Sequence, residues 1–397
     1  MKSIIFGFIC FIMVISMSCS LSQPAEEELP ESEVPVAEGD ASEDSKPPDT
    51  PEPPPEVGEQ TADEESEESS EEKVTDQRLS LSESWGQPTD TIPEFFYADD
   101  IGPEVRAALE QAFAAATEEW GNYGPLEYWV VGADLASAEA LLERYCERRN
   151  KRGDESYSDC KQYSTQSSDF LEWAERAAEM VRTGKPFLDA ARTGYAHWGI
   201  HLFSSSYPQA WAGVGRVPIE DNQTTLFHEY FHAVQHAHLR PSWPRDWEKR
   251  KQLMGPVWWQ EGGAEFMAHA TTEKLRESGA LPRESRHLSW NWDMEEEMRS
   301  KMEKGLSWLA ENPGIMMAEI EYGPDKNIAY HLGSWAIAYL CDKAGPNVLL
   351  KTFYPLLNEL GWEGAFIETF GMTPDEFYTE FDQFLALPIE EQVKILP

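Results

Sequence analysis

The segment Thr224-Thr225-Leu226-Phe227-His228-Glu229-Tyr230-Phe231-His232-Ala233-Val234-Gln235-His236 carries two histidines four residues apart, with an acid directly after the first. Residues four apart share one face of a helix, so His228 and His232 can aim both imidazoles at a single cation. Glu229 is rotated by about 100° from His228, which leaves its carboxylate beside that cation, free to hold a water and take its proton. A chance H-E-x-x-H in a chain of this length arises on the order of once in a hundred. Phe227, Tyr230, Phe231 and Val234 flank the pair, so the helix is mostly wrapped in core. Two histidines buried there without a ligand would be costly.

Hydrolysis at a zinc ion needs a third protein ligand and one open position for water. Two residues are candidates. His238 lies six residues after His232, as the third ligand does in metzincins, but Gln235 stands where those enzymes have the glycine that turns the chain. Without that glycine the helix continues and carries His238 away. The other candidate is Glu261, within Pro256-Val257-Trp258-Trp259-Gln260-Glu261-Gly262-Gly263-Ala264-Glu265-Phe266. Here the chain resembles the gluzincins, the thermolysin and aminopeptidase N group of HExxH peptidases, whose second helix bears W-x-x-E-G-x-A-E or a close variant.

The resemblance covers about residues 212–387. It implies one zinc ion held by His228, His232 and Glu261, with Glu229 as general base. It also implies that Glu265, one helical turn beyond Glu261, orients a ligand histidine through its second ring nitrogen, an arrangement that raises ligand basicity. Tyr330-His331-Leu332-Gly333 is similar to the Y-x-x-G of the aminopeptidase N-like enzymes, which implies that the Tyr330 hydroxyl stabilises the oxyanion of the tetrahedral intermediate. Tyr322 and His331 are the alternative donors. The stretch Trp211-Ala212-Gly213-Val214-Gly215-Arg216-Val217 occupies the place of the edge strand along which gluzincins lay a peptide, and its glycines permit close backbone approach. No G-A-M-E-N sequence stands there, which weakens the case for exopeptidase action. The expected activity is zinc-dependent hydrolysis of peptide bonds. Two rival classes are an inactive relative that only binds peptides or glycans, and a structural or assembly lipoprotein in which zinc staples two helices, closed by a fourth ligand such as His236 or His269.

The elements that must position these residues are legible in outline. Ile101 to Trp120 reads as an amphipathic helix with Pro103 in its first turn and Val105, Leu109, Ala112 and Phe113 on one face. Leu126 to Val131 and His197 to Ser204 read as strands, and Ala136 to Arg149 and Asp169 to Thr183 as helices. After Asn222 the chain is helical with short breaks, including Val348 to Leu360 and a capped start at Thr373-Pro374-Asp375-Glu376 that would wall the cleft. Trp258 and Trp259 read as core. Strands confined to the first half predict an α+β, zincin-like fold with a small mixed or antiparallel sheet and a mostly helical C-terminal lobe.

The N-terminus concerns destination. An apolar run from Ile4 to Ile15 follows Lys2 and is too short to span a bilayer, as in a signal peptide. Ser16-Met17-Ser18-Cys19 resembles a bacterial lipobox, with Ser16 where leucine is usual, which implies lipidation at Cys19. Ser20 after it then implies sorting to an outer membrane or cell surface. From Ser20 to Arg78 about 21 acidic residues face 3 basic ones, with nine prolines, a composition that cannot bury enough apolar surface to fold. The expected organisation is a signal peptide over residues 1–19, an acidic tether over 20–83 and a peptidase domain over 84–397, divided at 221/222 into an α/β lobe and a helical lobe. Cys146 and Cys160 flank a polar loop and are expected to pair in an oxidising compartment. Cys341 sits in an apolar helix and reads as a small buried hydrophobe. The net charge of −40 opposes binding to nucleic acid or to an anionic lipid surface, so membrane contact is expected through the lipid alone.

Overall fold

The computed structural model describes residues 87–166, 169–183, 191–196, 199–205, 219–239, 252–281 and 293–397. The expected leader, Cys19, the acidic tether and the Trp211 to Val217 segment lie outside them. The described elements open with β1 (Gln87–Pro88) and β2 (Glu94–Tyr97), followed by α1 (Pro103–Trp120), β3 (Tyr123–Gly124) and β4 (Leu126–Val131). The short β1 and β3 pair antiparallel. Next come α2 (Leu135–Arg152), α3 (Tyr157–Gln166), α4 (Asp169–Thr183), β5 (Ala191–Ala196) and β6 (Gly199–Ser205).

β2, β4, β6 and β5 form one sheet in that order, the first three parallel and β5 antiparallel at the edge. The sheet is therefore mixed. All six residues of β4 are buried, as a central strand covered on both faces requires, which explains its unbroken Leu126-Glu127-Tyr128-Trp129-Val130-Val131 run. The one acid in it, Glu127, is neutralised by Arg148 and Arg152 of α2. Helix α2 is capped by Asp134, whose carboxylate accepts from Ser137 N at 2.7 Å, and it ends at Gly153 in the left-handed conformation. The Cys146 and Cys160 sulfurs are bonded, with Cα atoms 5.5 Å apart, tying α2 to α3.

The remaining described elements are helical: α5 (Ile219–Ala237), α6 (Val257–Glu277), α7 (Met294–Glu311), α8 (Lys326–Ala344), α9 (Tyr354–Phe370), α10 (Pro374–Leu385) and α11 (Ile389–Gln392). The segment expected as one helix over Val348 to Leu360 instead opens with a wide π turn, Leu349–Phe353, before α9. Pro355 has no N–H to return to the carbonyl four residues back, which a wider turn accommodates. α9 then breaks at Gly361, whose φ of 69° suits glycine. Thr373 and Glu376 form the expected capping box at α10.

Helix α5 is the hub. Its Phe227, Tyr230 and Phe231 all pack against Trp120 of α1, and the Tyr230 hydroxyl donates to Gly121 O at 2.6 Å. The antiparallel edge strand β5 lies beside α5 on one side and α6 packs on another. Trp258 and Trp259 are fully in the core, among Phe353, Phe366, Phe377 and Tyr378. Among the described residues no helix is long and apolar enough to cross a membrane.

Candidate metal centre

α5 is helical through both histidines, so the four-residue spacing puts their rings on one face, 4.8 Å apart between centroids. Glu261 reaches the same point from α6. Its delivery depends on how closely α6 meets α8. A Cβ on Gly262 would lie 2.2 Å from the Gly333 carbonyl carbon, and one on Gly333 would lie 2.4 Å from Trp258 O. Two glycines thus let these helices cross backbone to backbone, with Glu261 next to one and Tyr330 one turn before the other. The glycine of Tyr330-His331-Leu332-Gly333 has a packing duty that its motif does not reveal.

His228 Nε2, His232 Nε2 and Glu261 Oε2 form a triangle with edges of 3.1, 3.2 and 3.4 Å. The tautomers are fixed from behind. His228 Nδ1 lies 2.8 Å from Glu265 Oε2, which can only accept while ionised, so Nδ1 carries the hydrogen. His232 Nδ1 lies 2.8 Å from Gln235 Oε1, again an acceptor. While the rings are neutral, both Nε2 atoms therefore present lone pairs to each other and to a carboxylate oxygen. Three lone-pair donors at such distances repel unless a positive charge sits among them. A tetrahedral cation with bonds of ~2.0–2.1 Å spaces its ligand atoms by roughly 3.3–3.4 Å, so the triangle fits one. This buried group can hold a metal ion.

The electrostatics make the same demand. Burial opposes charge on His228, yet Glu261 and Glu265 outweigh it and raise its pKa to about 10. His232 moves the same way, burial being overcome by Glu261. Burial works against the charge of Glu261 too, but His232 and His228 hold its carboxyl well below the usual range. A pocket that draws a proton this strongly in the absence of metal is one that favours a cation. Among the described residues no fourth His, Cys, Asp or Glu joins the group.

The flanking residues take distinct positions. Glu229 is buried, and its charge bears on both ligand histidines and on Tyr322 and Tyr330. The Tyr330 ring stacks on His228 at 5.7 Å with planes within 7°. The Tyr322 hydroxyl donates to Glu261 Oε1 at 2.6 Å from a half-exposed position. Burial first, then the negative charge of Glu261 and Glu229, pushes both phenols far above their ordinary pKa, so both remain donors at neutral pH. His331, the other alternative donor, is held low, at about 4, by burial and by Lys301 and Lys304. His238 does not join the triangle. It meets the Tyr123 hydroxyl at 3.3 Å and stacks on Tyr354, and burial lowers its pKa to about 4. His269 faces Glu265 at 3.1 Å, and His236 is likewise outside the ligand group.

Three supporting residues escape a reading of the motif alone. Gln235 orients His232 and is itself held by donating to Gln260 O at 2.9 Å and the Tyr354 hydroxyl at 3.2 Å. His269 and Lys301 both converge on Glu265 Oε1, at 3.1 and 2.7 Å. The spacings were available: Gln235 lies three residues after His232, and His269 four after Glu265. Lys301 gave no signal, since it belongs to a separate helix. Cys341 is buried, and burial pushes its thiol up to about 12.

Comparison with known proteins leaves this centre to stand on its geometry: no family model, no curated protein and no solved structure matches the chain.

Proposed function

We propose that this chain is a zinc-dependent peptidase of gluzincin type with a zincin-like fold. The observation that carries the reading is the triangle of two tautomer-fixed histidines and Glu261, with no fourth ligand among the described residues and with Glu229 and two phenols around it. The antiparallel edge strand β5 beside α5 supports the fold assignment, since an extended peptide can add to such an edge through main-chain hydrogen bonds. His228, His232 and Glu261 would hold the ion; zinc among nitrogen and oxygen ligands acts as a Lewis acid and lowers the pKa of water towards about 7.

The chain's own groups do the rest. Glu229 accepts the proton of the attacking water and returns it to the nitrogen of the leaving amine, so no covalent adduct with the protein is needed. Tyr330 donates a hydrogen bond to the oxygen that gains negative charge as the carbonyl becomes tetrahedral, and its raised pKa keeps the proton available. Tyr322 donates to Glu261 Oε1, so that Oε2 is the oxygen that would hold the ion with the two histidines. A structural zinc site would be closed by a fourth protein ligand, which the described residues do not supply.

The leader, the lipobox-like Cys19 and the acidic tether support an exported bacterial lipoprotein whose domain stands off an outer membrane or cell surface. The test is metal analysis of purified protein followed by a peptide-library digest with wild type and Glu229→Gln. The reading expects about one zinc per chain in both proteins and cleavage by the wild type alone. Stoichiometric zinc without cleavage of any peptide would instead favour the structural or inactive alternative.

A further inference from the structure

We propose that Lys301 is a positioning residue for the metal centre: its buried ammonium holds one oxygen of Glu265 so that the other stays turned onto His228. This inference rests on the metal-binding reading above.

Lys301 lies on α7 and is 6% exposed. Lysine is almost never buried so fully unless paired, because removing an ammonium from water costs several kcal/mol. Here the partners are Glu265 Oε1 at 2.7 Å and Glu297 Oε1 at 3.1 Å. Glu265 uses its other oxygen for His228 Nδ1 at 2.8 Å, and His269 shares the first at 3.1 Å. The result is a chain of contacts from an ammonium through a carboxylate to an imidazole, supplied by three helices, α7, α6 and α5. Lys301 is outside the ligand group and reaches it through Glu265.

The charge count makes that action necessary. Two carboxylates share one ammonium. The Glu297 side chain is about one-third exposed, so water carries part of its charge, whereas the Glu265 side chain is only 19% exposed and its negative charge depends on neighbours. Held in this position, Glu265 accepts from His228 Nδ1 and leaves Nε2 free to ligate. With the ammonium gone, Glu265 and Glu297 would face each other with only the His269 ring beside them. Their repulsion would swing Glu265 away, and the acceptor that fixes the His228 tautomer would be lost.

The test uses the purified full chain and measures zinc affinity by competition with a chromophoric chelator, and cobalt coordination by visible absorption. Lys301→Met keeps the volume and removes the charge. It is expected to retain the helical circular dichroism of the wild type while raising the zinc dissociation constant about 10- to 100-fold and altering the cobalt spectrum. The double variant Lys301→Met with Glu297→Gln removes the surplus acid as well, and is expected to recover to within about tenfold of the wild type. A merely packing role predicts no such recovery. If Lys301→Met alone fails to fold, the double variant decides: zinc binding within that range supports the inference, and loss of binding overturns it. Unchanged zinc affinity in folded Lys301→Met overturns it too, without touching the metal assignment, whereas a wild-type protein that binds no zinc or cobalt would sink the metal centre itself.

Discussion

Gly333→Ala tests whether the α6–α8 crossing positions the centre. The added Cβ would stand 2.4 Å from Trp258 O and 3.0 Å from Gly262 Cα, both backbone atoms that no rotamer change can move. Restoring an ordinary contact of about 3.3 Å requires the helices to part by roughly 1 Å. Overpacking of this kind costs about 1–3 kcal/mol, here at the upper end because the obstacle is main chain. Alanine returns up to about 1 kcal/mol of helix propensity, leaving a net loss near 2 kcal/mol, or roughly 30-fold in the folding equilibrium. The same shift moves Glu261 against histidine nitrogens only 3.2 and 3.4 Å away, so zinc affinity should fall by about 10-fold or more. Denaturant unfolding of metal-free protein reads the first effect, and chelator competition reads the second. Gly323→Ala is the control, since a Cβ there meets nothing within 4 Å. A Gly333→Ala protein as stable as the wild type, binding zinc equally well, would refute the claim that this crossing sets the ligand geometry.

Further outcomes follow from the division of labour around the triangle. His228→Ala or Glu261→Ala should lose zinc and activity together, and inductively coupled plasma analysis of the purified variants checks the first; full metal content in either would be incompatible with the ligand set. Glu229→Gln should keep its zinc while peptide turnover drops about 10²-fold or more, and retained turnover would remove Glu229 from the mechanism. Tyr330→Phe should lower kcat with KM little changed, whereas Tyr322→Phe, which frees a ligand oxygen, should alter zinc affinity as well; identical profiles for the two would contradict their separate roles. For pH, His238 titrates at about 4 in the folded state against an unfolded value near 6.5, so the unfolded chain takes up the proton first. Its contribution to stability is complete above about pH 6.5 and is lost as pH falls towards 4, at up to roughly 1.4 kcal/mol per pH unit. Denaturation midpoints of wild type and His238→Gln at pH 7 and pH 5 check this: the variant should lose less between the two, and equal losses would count against a buried neutral His238.

The legible parts of this molecule are those governed by local spacing. The helix over Asp169–Thr183 and the strand over Leu126–Val131 follow from periodicity and from an unbroken apolar run, and both lie where those patterns end. β2 and β5 were not anticipated. Glu94-Phe95-Phe96-Tyr97 is too short to show a period, and Ala191-Arg192-Thr193-Gly194-Tyr195-Ala196 has the small and polar composition of a loop. Each becomes a strand by pairing, β2 with β4 across the whole of α1 and β5 with β6, the strand that follows it directly.

The site divides in the same way. Two histidines four apart on a helix must share a face whatever surrounds them, and a glutamate beside the first must stand next to anything they hold. Those relations are intrinsic to the 3.6-residue turn, so the amino-acid sequence by itself determined His228, Glu229 and His232 as a group. The choice of Glu261 over His238 as third ligand was suggested by motif but decided by tertiary packing: Gly262 against Gly333 brings one in, while Tyr123 and Tyr354 hold the other away. The tautomer of His228, the parking of Tyr322 on Glu261 and the burial of Lys301 beneath Glu265 also belong to the fold alone. They join residues that share no local period, and the only force that makes them neighbours is the packing of separate helices around one core.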